Sequence, residues 1–418
     1  MTLPSQCDVA IIGGGIVGVC AAYFLARRGV DVAVFEKGRV GGEQSSRNWG
    51  WVRTLLRDRS EIPLALRARP LWQEIQREVD VGYRPSGMVY LARSEAELAA
   101  YRRWMGEAAL PADVREVSRA EAANLVGAPE GPWLGGLHAG EDGVAEPALA
   151  APAVAGLAAR HGARIHERCA VRGLDMAGGR VRGVVTEHGT VRAGHVILAG
   201  GAWSRMFCLN HGVDFPQLKV LGSVLSTSAL DAGFSLAVNG GGFTCRKRRD
   251  GGYSVAQFNA SLAELVPDSF RLFGRFFSTW LRNNGLVKLR LNRRFFTELA
   301  MPTRFALDAP TPFERHRVLD PQPYRRGIEQ AYARLCEAFP IFHQARIAQV
   351  WAGYIDVTPD AIPVIDEVAA LPGLILASGF SGHGFGIGPA VGEALAKLVT
   401  GGDLGDALRP FRLARLTS

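Results

Sequence analysis

Residues 8–36, DVAIIGGGIVGVCAAYFLARRGVDVAVFE, read as a strand, a tight turn, a helix and a second strand ending on a carboxylate. Gly13, Gly15 and Gly18 stand at G-x-G-x-x-G spacing, with Ile16 and Val17 inside the motif. Gly13 allows the turn, Gly15 lets backbone approach a pyrophosphate, and Gly18 lets the helix pack on the strand. The helix N-terminus favours phosphate charge. Glu36 is placed to accept a hydrogen bond from a ribose hydroxyl, and its charge repels a 2′-phosphate, which leaves FAD or NAD rather than NADP. Spacing alone is a weak signal; strand, helix and acid together make it specific.

The 418-residue chain is 48% hydrophobic, enough for two cores or one composite core. Its first strand starts near Cys7, which leaves no room for a signal or transit peptide, and no window holds the ~20 apolar residues of a spanning helix. The expected location is cytoplasmic. Six cysteines without C-x-x-C spacing are expected to be free thiols, with neither a metal site nor a disulfide framework. A net charge of +8 is spread over dispersed arginines with no helix-turn-helix or finger spacing. That pattern argues against nucleic acid and suits anionic substrates or a membrane surface. Oligomeric state leaves no trace in the sequence.

Outward from the opening unit come an arginine-rich loop (37–60), a helix (64–79) and a short strand, GMVYLAR. Two small helices fill 95–126, the second opening at Ser118 with Glu121 in a capping box. A second α/β block starts near Glu146: a helix over 147–160, a strand ARIHERCAVRGLD, a hairpin RVRGVVTEHGTV and a buried strand HVILAGGAW. A third buried strand, GLILASGF, precedes SGHGFGIGPAVGEALAKLVTG. There Pro389 suits the first turn of a helix, so the glycines before it form a loop whose N–H groups face a ligand. Three glycine-punctuated strands so far apart predict an α/β fold with a Rossmann-like domain assembled from 1–60, 146–204 and 346–418. Residues 61–145 and 205–345 are left for a substrate domain.

With the opening motif, the segments GEQSSRNWGW (42–51), GGAWSR (200–205), WAGYIDVTPDAIPVI (351–365) and GFSGHGFGIGP (379–389) resemble the glycine oxidase, sarcosine oxidase and D-amino-acid oxidase superfamily over essentially the whole chain. GEQSSR, the pair FTCRKRRDGGY and SLAELVPDSF, and TPFERHRV are most similar to bacterial L-amino acid deaminases. The resemblance implies FAD, a substrate domain with a large mixed β-sheet, and oxidative deamination of an amino acid. Hydride would pass from Cα–H to flavin N5, and the imino acid would hydrolyse to a 2-oxo acid and ammonia. Two alternatives accompany it: oxidation of proline-like, N-methyl or opine substrates, and a flavin subunit of an electron-transfer complex. The membrane-bound deaminases carry an N-terminal hydrophobic anchor absent here, and an aromatic residue where His383 stands. Sarcosine oxidases attach flavin to a cysteine near the segment matching 351–358, which holds none here, so noncovalent FAD is expected.

The resemblance assigns the substrate carboxylate to Arg246, whose planar guanidinium suits bidentate pairing. Trp51, with Trp49 beside it, would wall the substrate, Tyr354 would cover it, and His383 would act electrostatically or by hydrogen bonding rather than as a base. Ser45, Ser46, Arg47 and Asn48 would reach the pyrophosphate or flavin, and the N–H groups of Gly386, Ile387 and Gly388 the flavin N1/O2 edge. Further expected FAD contacts are Lys37, Gln44, Trp49, Gly50, Val171, Ala199, Gly200, Gly201, Trp203, Gly353, Gly384 and Phe385. Residues 266–296 hold seven Lys/Arg, one acid and many aromatics. The expected arrangement is a lid or substrate-domain helix with its aromatics packed inward. The other is a face lying on an anionic membrane that passes electrons to a quinone. The strand GGYSVAQF has no lysine near Ser254 and Val255, where sarcosine oxidases place one to speed the reaction with oxygen, so slow reaction with O2 is expected.

Overall fold

The computed structural model describes residues 3–107, 109–128, 131–258, 261–282, 287–402 and 404–416. Strand Gln6–Ile12 lies at the centre of an eight-stranded sheet, parallel to Val32–Phe35 on one side and Gly189–Leu198 on the other. Arg164–His166 and Leu374–Ser378 extend the parallel order, and Val364–Glu367 closes one edge antiparallel. Val9, Ala10 and Ile11 have no exposed surface, as expected of a strand covered on both faces.

Helix Ile16–Ala26 is buried along its whole length because three others surround it: Ile62–Glu78, Pro147–Arg160 and Gly384–Val399. Small residues permit the approach. A Cβ on Gly18 would lie 2.1 Å from the Gly13 carbonyl oxygen, and one on Gly392 would lie 2.6 Å from the carbonyl carbon of Cys20. A second sheet of ten strands has Leu218–Thr227 near one end, paired with Ile347–Val357, Tyr253–Ala256 and Ser261–Glu264. All six cysteines are buried and free.

The elements divide differently from the expected segments. Ile62–Glu78 belongs to the cofactor core, where Trp72 donates to the Gly386 carbonyl at 2.8 Å. Ile347–Val357 belongs to the second sheet, held by a ladder along Leu218–Thr227. An unforeseen strand, Val114–Ser118, separates the two small helices, and the Ser118–Glu121 capping box is present. The last helix starts at Gly384, so Pro389 lies inside it, where its ring crowds the Phe385 carbonyl and one backbone hydrogen bond is lost.

Most of the aromatics of 266–296 are not packed inward. On the short helices Pro267–Arg271, Phe273–Arg282 and Arg293–Leu299, Phe270, Phe273, Phe277 and Phe296 are exposed, the last at 66%. No helix among the described residues is long and apolar enough to cross a membrane.

Gly392→Val is expected to destabilise the fold by about 1–3 kcal/mol, because the packed helices must part to admit the new side chain. Denaturant unfolding with a midpoint equal to that of the unaltered protein would show that the contact is not required.

Candidate cofactor cleft and active site

The carboxyl ends of the parallel strands open into one cleft of about 1240 Å³, its mouth included. Gly13, Glu36 and Ala199 each follow a strand end, as ligand sites in open α/β sheets require. Gly13 adopts φ +106, and a Cβ there would collide with the Ala199 carbonyl at 2.5 Å. A Cβ on Gly15 would meet only Ser45 Oγ and would otherwise project into the cleft. Glu36 accepts from the backbone N–H of Gly14 at 2.8 Å and Gly38 at 2.7 Å. Burial pushes its carboxyl above the usual range, which those two donors oppose.

Of the expected cofactor contacts, Gly13, Gly15, Ile16, Val17, Glu36, Lys37, Gln44, Ser45, Asn48, Val171, Ala199, Gly200, Gly201, Trp203, Gly384 and Phe385 line this cleft, as does Tyr354. Several others support it from behind. Gly18 packs the helix on the strand, and Ser46 Oγ donates to the Glu43 carbonyl. Arg47 spans the carbonyls of Gly42, Leu319 and Ala352 and pairs with Asp320 at 3.1 Å. A Cβ on Gly353 would strike Gln44 Oε1 at 2.2 Å. Lys37 is committed to Glu43 at 2.7 Å and to the carbonyls of His316 and Arg317.

The N–H groups expected at Gly386, Ile387 and Gly388 are corrected to the first turn, Gly384 to Gly386, because the helix begins five residues before Pro389. Ile387 is in the core, and a Cβ on Gly388 would rest on Ile16. Trp51 is 6% exposed and packs against Trp49 and Tyr90, so it does not wall the cleft. Trp49 lines a smaller cavity beneath Leu218–Thr227, which shares Gln44 with the main cleft.

Arg246 likewise does not line the cleft. It is 1% exposed, with Nη1 and Nη2 on the two oxygens of Glu146 at 2.9 and 3.0 Å and Nε on the Trp49 carbonyl at 2.5 Å. A Cβ on Gly50, which adopts φ +77, would press on Arg246 Nε at 2.8 Å. The guanidinium therefore ties the loop 49–50 to Glu146 and has no side open to the cleft.

His383 stands between Gly382 and Gly384, which line the cleft, and its Nδ1 lies 2.9 Å from Glu61 Oε2. Burial and the nearby Arg57 push its pKa down to about 4, so the ring is neutral at pH 7. Burial alone would raise the Glu61 carboxyl, but His383 and the arginines hold it below the usual range. Glu43 and Asp356 also line the cleft and were not singled out, although GEQSSR and YIDVTPD contain them. Asp356 accepts from the Gly379 amide at 2.7 Å, while Glu43 receives Lys37 and the Trp203 indole. Neither partnership is visible in a local pattern.

The cleft fits a dinucleotide on its own evidence. Two long helices, Ile16–Ala26 and Gly384–Val399, start at it with no acidic residue in the first turn, leaving N–H groups for anionic oxygens. Gln44 Oε1 is buried there without a partner. Glycines keep side chains out of its floor. No cluster of three metal-ligating side chains occurs among the described residues.

These features define a dinucleotide-dependent oxidoreductase. The chain belongs to the FAD dependent oxidoreductase (DAO) family, whose profile matches residues 8–398. It is similar to the solved L-amino acid deaminase of Proteus myxofaciens in complex with anthranilate, at 32% identity and a TM-score of 0.94, covering 99% of this chain and 94% of the other. It is also similar to sarcosine oxidase subunit beta of an Arthrobacter species, at 26% identity over 98% of this chain and 90% of the relative. Glycine oxidase of Geobacillus kaustophilus shares 26% identity over 98% and 97% of the two chains.

Glu36→Ala is expected to weaken FAD binding by about 1.5–3 kcal/mol, through lost contacts of a charged acceptor. Equilibrium FAD titration with an unchanged dissociation constant would remove Glu36 from the site. Arg246→Ala is expected to cost stability, about 3–5 kcal/mol, by leaving Glu146 buried and unpaired. The companion Glu146→Gln should recover part of that loss. A normal unfolding midpoint with lost substrate binding would return Arg246 to the substrate.

Proposed function

We propose that this chain oxidises an amino acid to its imino acid, which water converts to a 2-oxo acid and ammonia. The observation that carries the reading is a single cleft running from Glu36 past the glycine turn to a wall formed by Tyr354, Gly382 and Gly384. The similarity to the Proteus deaminase over nearly the full chain supports it. Bound FAD supplies a two-electron acceptor for the hydride leaving Cα, while the amine nitrogen gives up a proton to solvent.

The protein's own contribution is positioning and exclusion of water. Tyr354 Oη donates to Glu264 at 2.7 Å, and the Arg294 guanidinium covers its ring at 3.8 Å. Burial raises the Tyr354 pKa, so the phenol stays protonated at the cleft wall. Neutral His383, held by Glu61, offers a hydrogen bond and no charge. The second reading, oxidation of a secondary amine, is supported by the similarity to sarcosine oxidase subunit beta over nearly the full chain.

The electron acceptor in this reading is a membrane-associated quinone. Lys288, Arg290 and Arg293 are exposed among the protruding aromatics of 267–299 and form no ion pair among the described residues. Lys37 is the lysine that lines the cleft, and it is bound to Glu43. Ser254 faces Arg246 across the strand pair, with no lysine on Tyr253–Ala256.

Anaerobic mixing of the holoenzyme with a panel of L-, D- and N-substituted amino acids should bleach the flavin with one class. An unbleached flavin across the panel would defeat the reading. Reoxidation in stopped flow should be slow with O2 and fast with a quinone or dye. Rapid stoichiometric hydrogen peroxide would make the protein an oxidase instead.

A further inference from the structure

A second cavity lies behind the wall of the cofactor cleft. It holds about 590 Å³, its mouth included, between helix Ser204–Asn210, the start of strand Leu218–Thr227 and the short helices Pro267–Arg271 and Arg293–Leu299. One layer of residues divides the two spaces. Ala202 lines both. Gln217, which lines the second cavity, donates from Nε2 to the carbonyl of cleft-lining Gly201 at 3.0 Å. Arg294 and Lys219 also line the second cavity, and each covers an aromatic ring of the cleft. The Arg294 guanidinium lies 3.8 Å from the ring centre of Tyr354, and Lys219 Nζ lies 5.7 Å from that of Trp203.

The lining decides what kind of molecule can enter. Met206, Leu209, Leu218, Val266, Pro267 and Met301 give the cavity apolar walls. Its charged groups answer one another: Asp268 takes Arg205 at 2.8 Å and Arg271 at 3.2 Å, and Glu298 takes Lys219 at 3.0 Å and Arg294 at 2.6 Å. From outside the lining, Asp214 also meets Arg205 and Glu264 also meets Arg294. Both lining carboxylates are used twice, whereas Lys219 gives Glu298 only one of the three N–H groups an ammonium carries. Spare donors among apolar walls suit a neutral ligand with carbonyl oxygens rather than an ion. The approach is apolar as well, since the two short helices that bound the cavity carry the exposed Phe270, Phe296 and Leu299 region.

We propose that this cavity seats the head group of a membrane quinone, with Lys219 donating to one carbonyl oxygen and the exposed aromatic face receiving the isoprenoid tail. The proposal rests on the quinone reading above and gives that acceptor a place outside the cleft, so quinone and amino acid do not compete. The head group takes two electrons from reduced FAD and two protons from solvent to become a quinol. The proton that arrived with the hydride returns to solvent, so one proton is consumed overall. Only the layer that holds Ala202, Trp203 and Tyr354 stands between donor and acceptor.

The test is calorimetric binding of a ubiquinone bearing one isoprenoid unit to the oxidised, FAD-loaded protein with no amino acid present. Leu209→Trp, which fills the cavity, should raise the dissociation constant about tenfold or more, and Lys219→Met, which leaves Glu298 with Arg294, about fivefold or more. Anaerobic flavin reduction by the amino acid should be unchanged in Leu209→Trp. If Leu209→Trp does not fold, Met301→Trp carries the test with the same expectation. Two results overturn the cavity and leave the quinone reading standing, provided the same quinone still reoxidises the reduced flavin. One is displacement of the quinone by anthranilate, and the other is a Leu209→Trp protein that binds within about threefold of wild type. A wild type that neither binds the quinone nor is reoxidised by it, although an amino acid bleaches its flavin, overturns the quinone reading together with the cavity. Leu209-dependent binding with no amino acid bleaching the flavin would overturn the amino-acid reading alone.

Discussion

Glu146 and Arg246, one hundred residues apart, meet in a buried bidentate pair where the two sheets adjoin. The carboxylate precedes helix Pro147–Arg160 and also receives Arg84 and the Arg249 amide. The guanidinium extends the second sheet's strand Thr244–Lys247 to the carbonyl of Trp49. From there the loop runs back to Ser45, whose hydroxyl accepts the first amide of helix Ile16–Ala26 at 2.9 Å. One ion pair therefore sets the distance between the dinucleotide turn and the neighbouring sheet. Burying two charges is worthwhile only if every lone pair and proton is used, and here nearly all are.

A second polar chain leaves the cleft in the opposite direction. Tyr354 meets Glu264, Glu264 meets Arg294, Arg294 meets Glu298, and Glu298 meets Lys219. Arg294 stands on the helix that carries the exposed Phe296, so the protruding aromatic face and the wall of the cleft share a side chain. Displacing that helix moves the Tyr354 ring, since the guanidinium lies 3.8 Å above it.

The parts of this fold that could be read from the sequence are those governed by local rules. Helix 147–160 keeps its expected bounds because Pro147 suits the first turn and Gly162 follows the end. The glycine turn and Glu36 fall in place because spacing alone determines them. Pro389 misleads for the same reason: the rule for a first-turn proline applies, but tertiary packing of Phe385 against Trp72 starts the helix earlier. The pairing of Arg246 with Glu146 is not legible because the partner is distant in sequence, and a lone arginine before a turn looks alike whether it meets a substrate or Glu146. The inward packing expected for 266–296 follows from treating aromatics as core, which holds only where another layer covers them.

The six buried thiols sort into the separate layers of the molecule. Cys20 lies among the helices over the parallel sheet, Cys208 on that sheet's other face and Cys245 in the second sheet, each with its ionisation suppressed by burial. A thiolate is the reactive form, so each stays silent towards alkylating reagents until its own layer opens. The chain thus carries built-in clocks, and the order in which they are labelled records the sequence in which the protein comes apart.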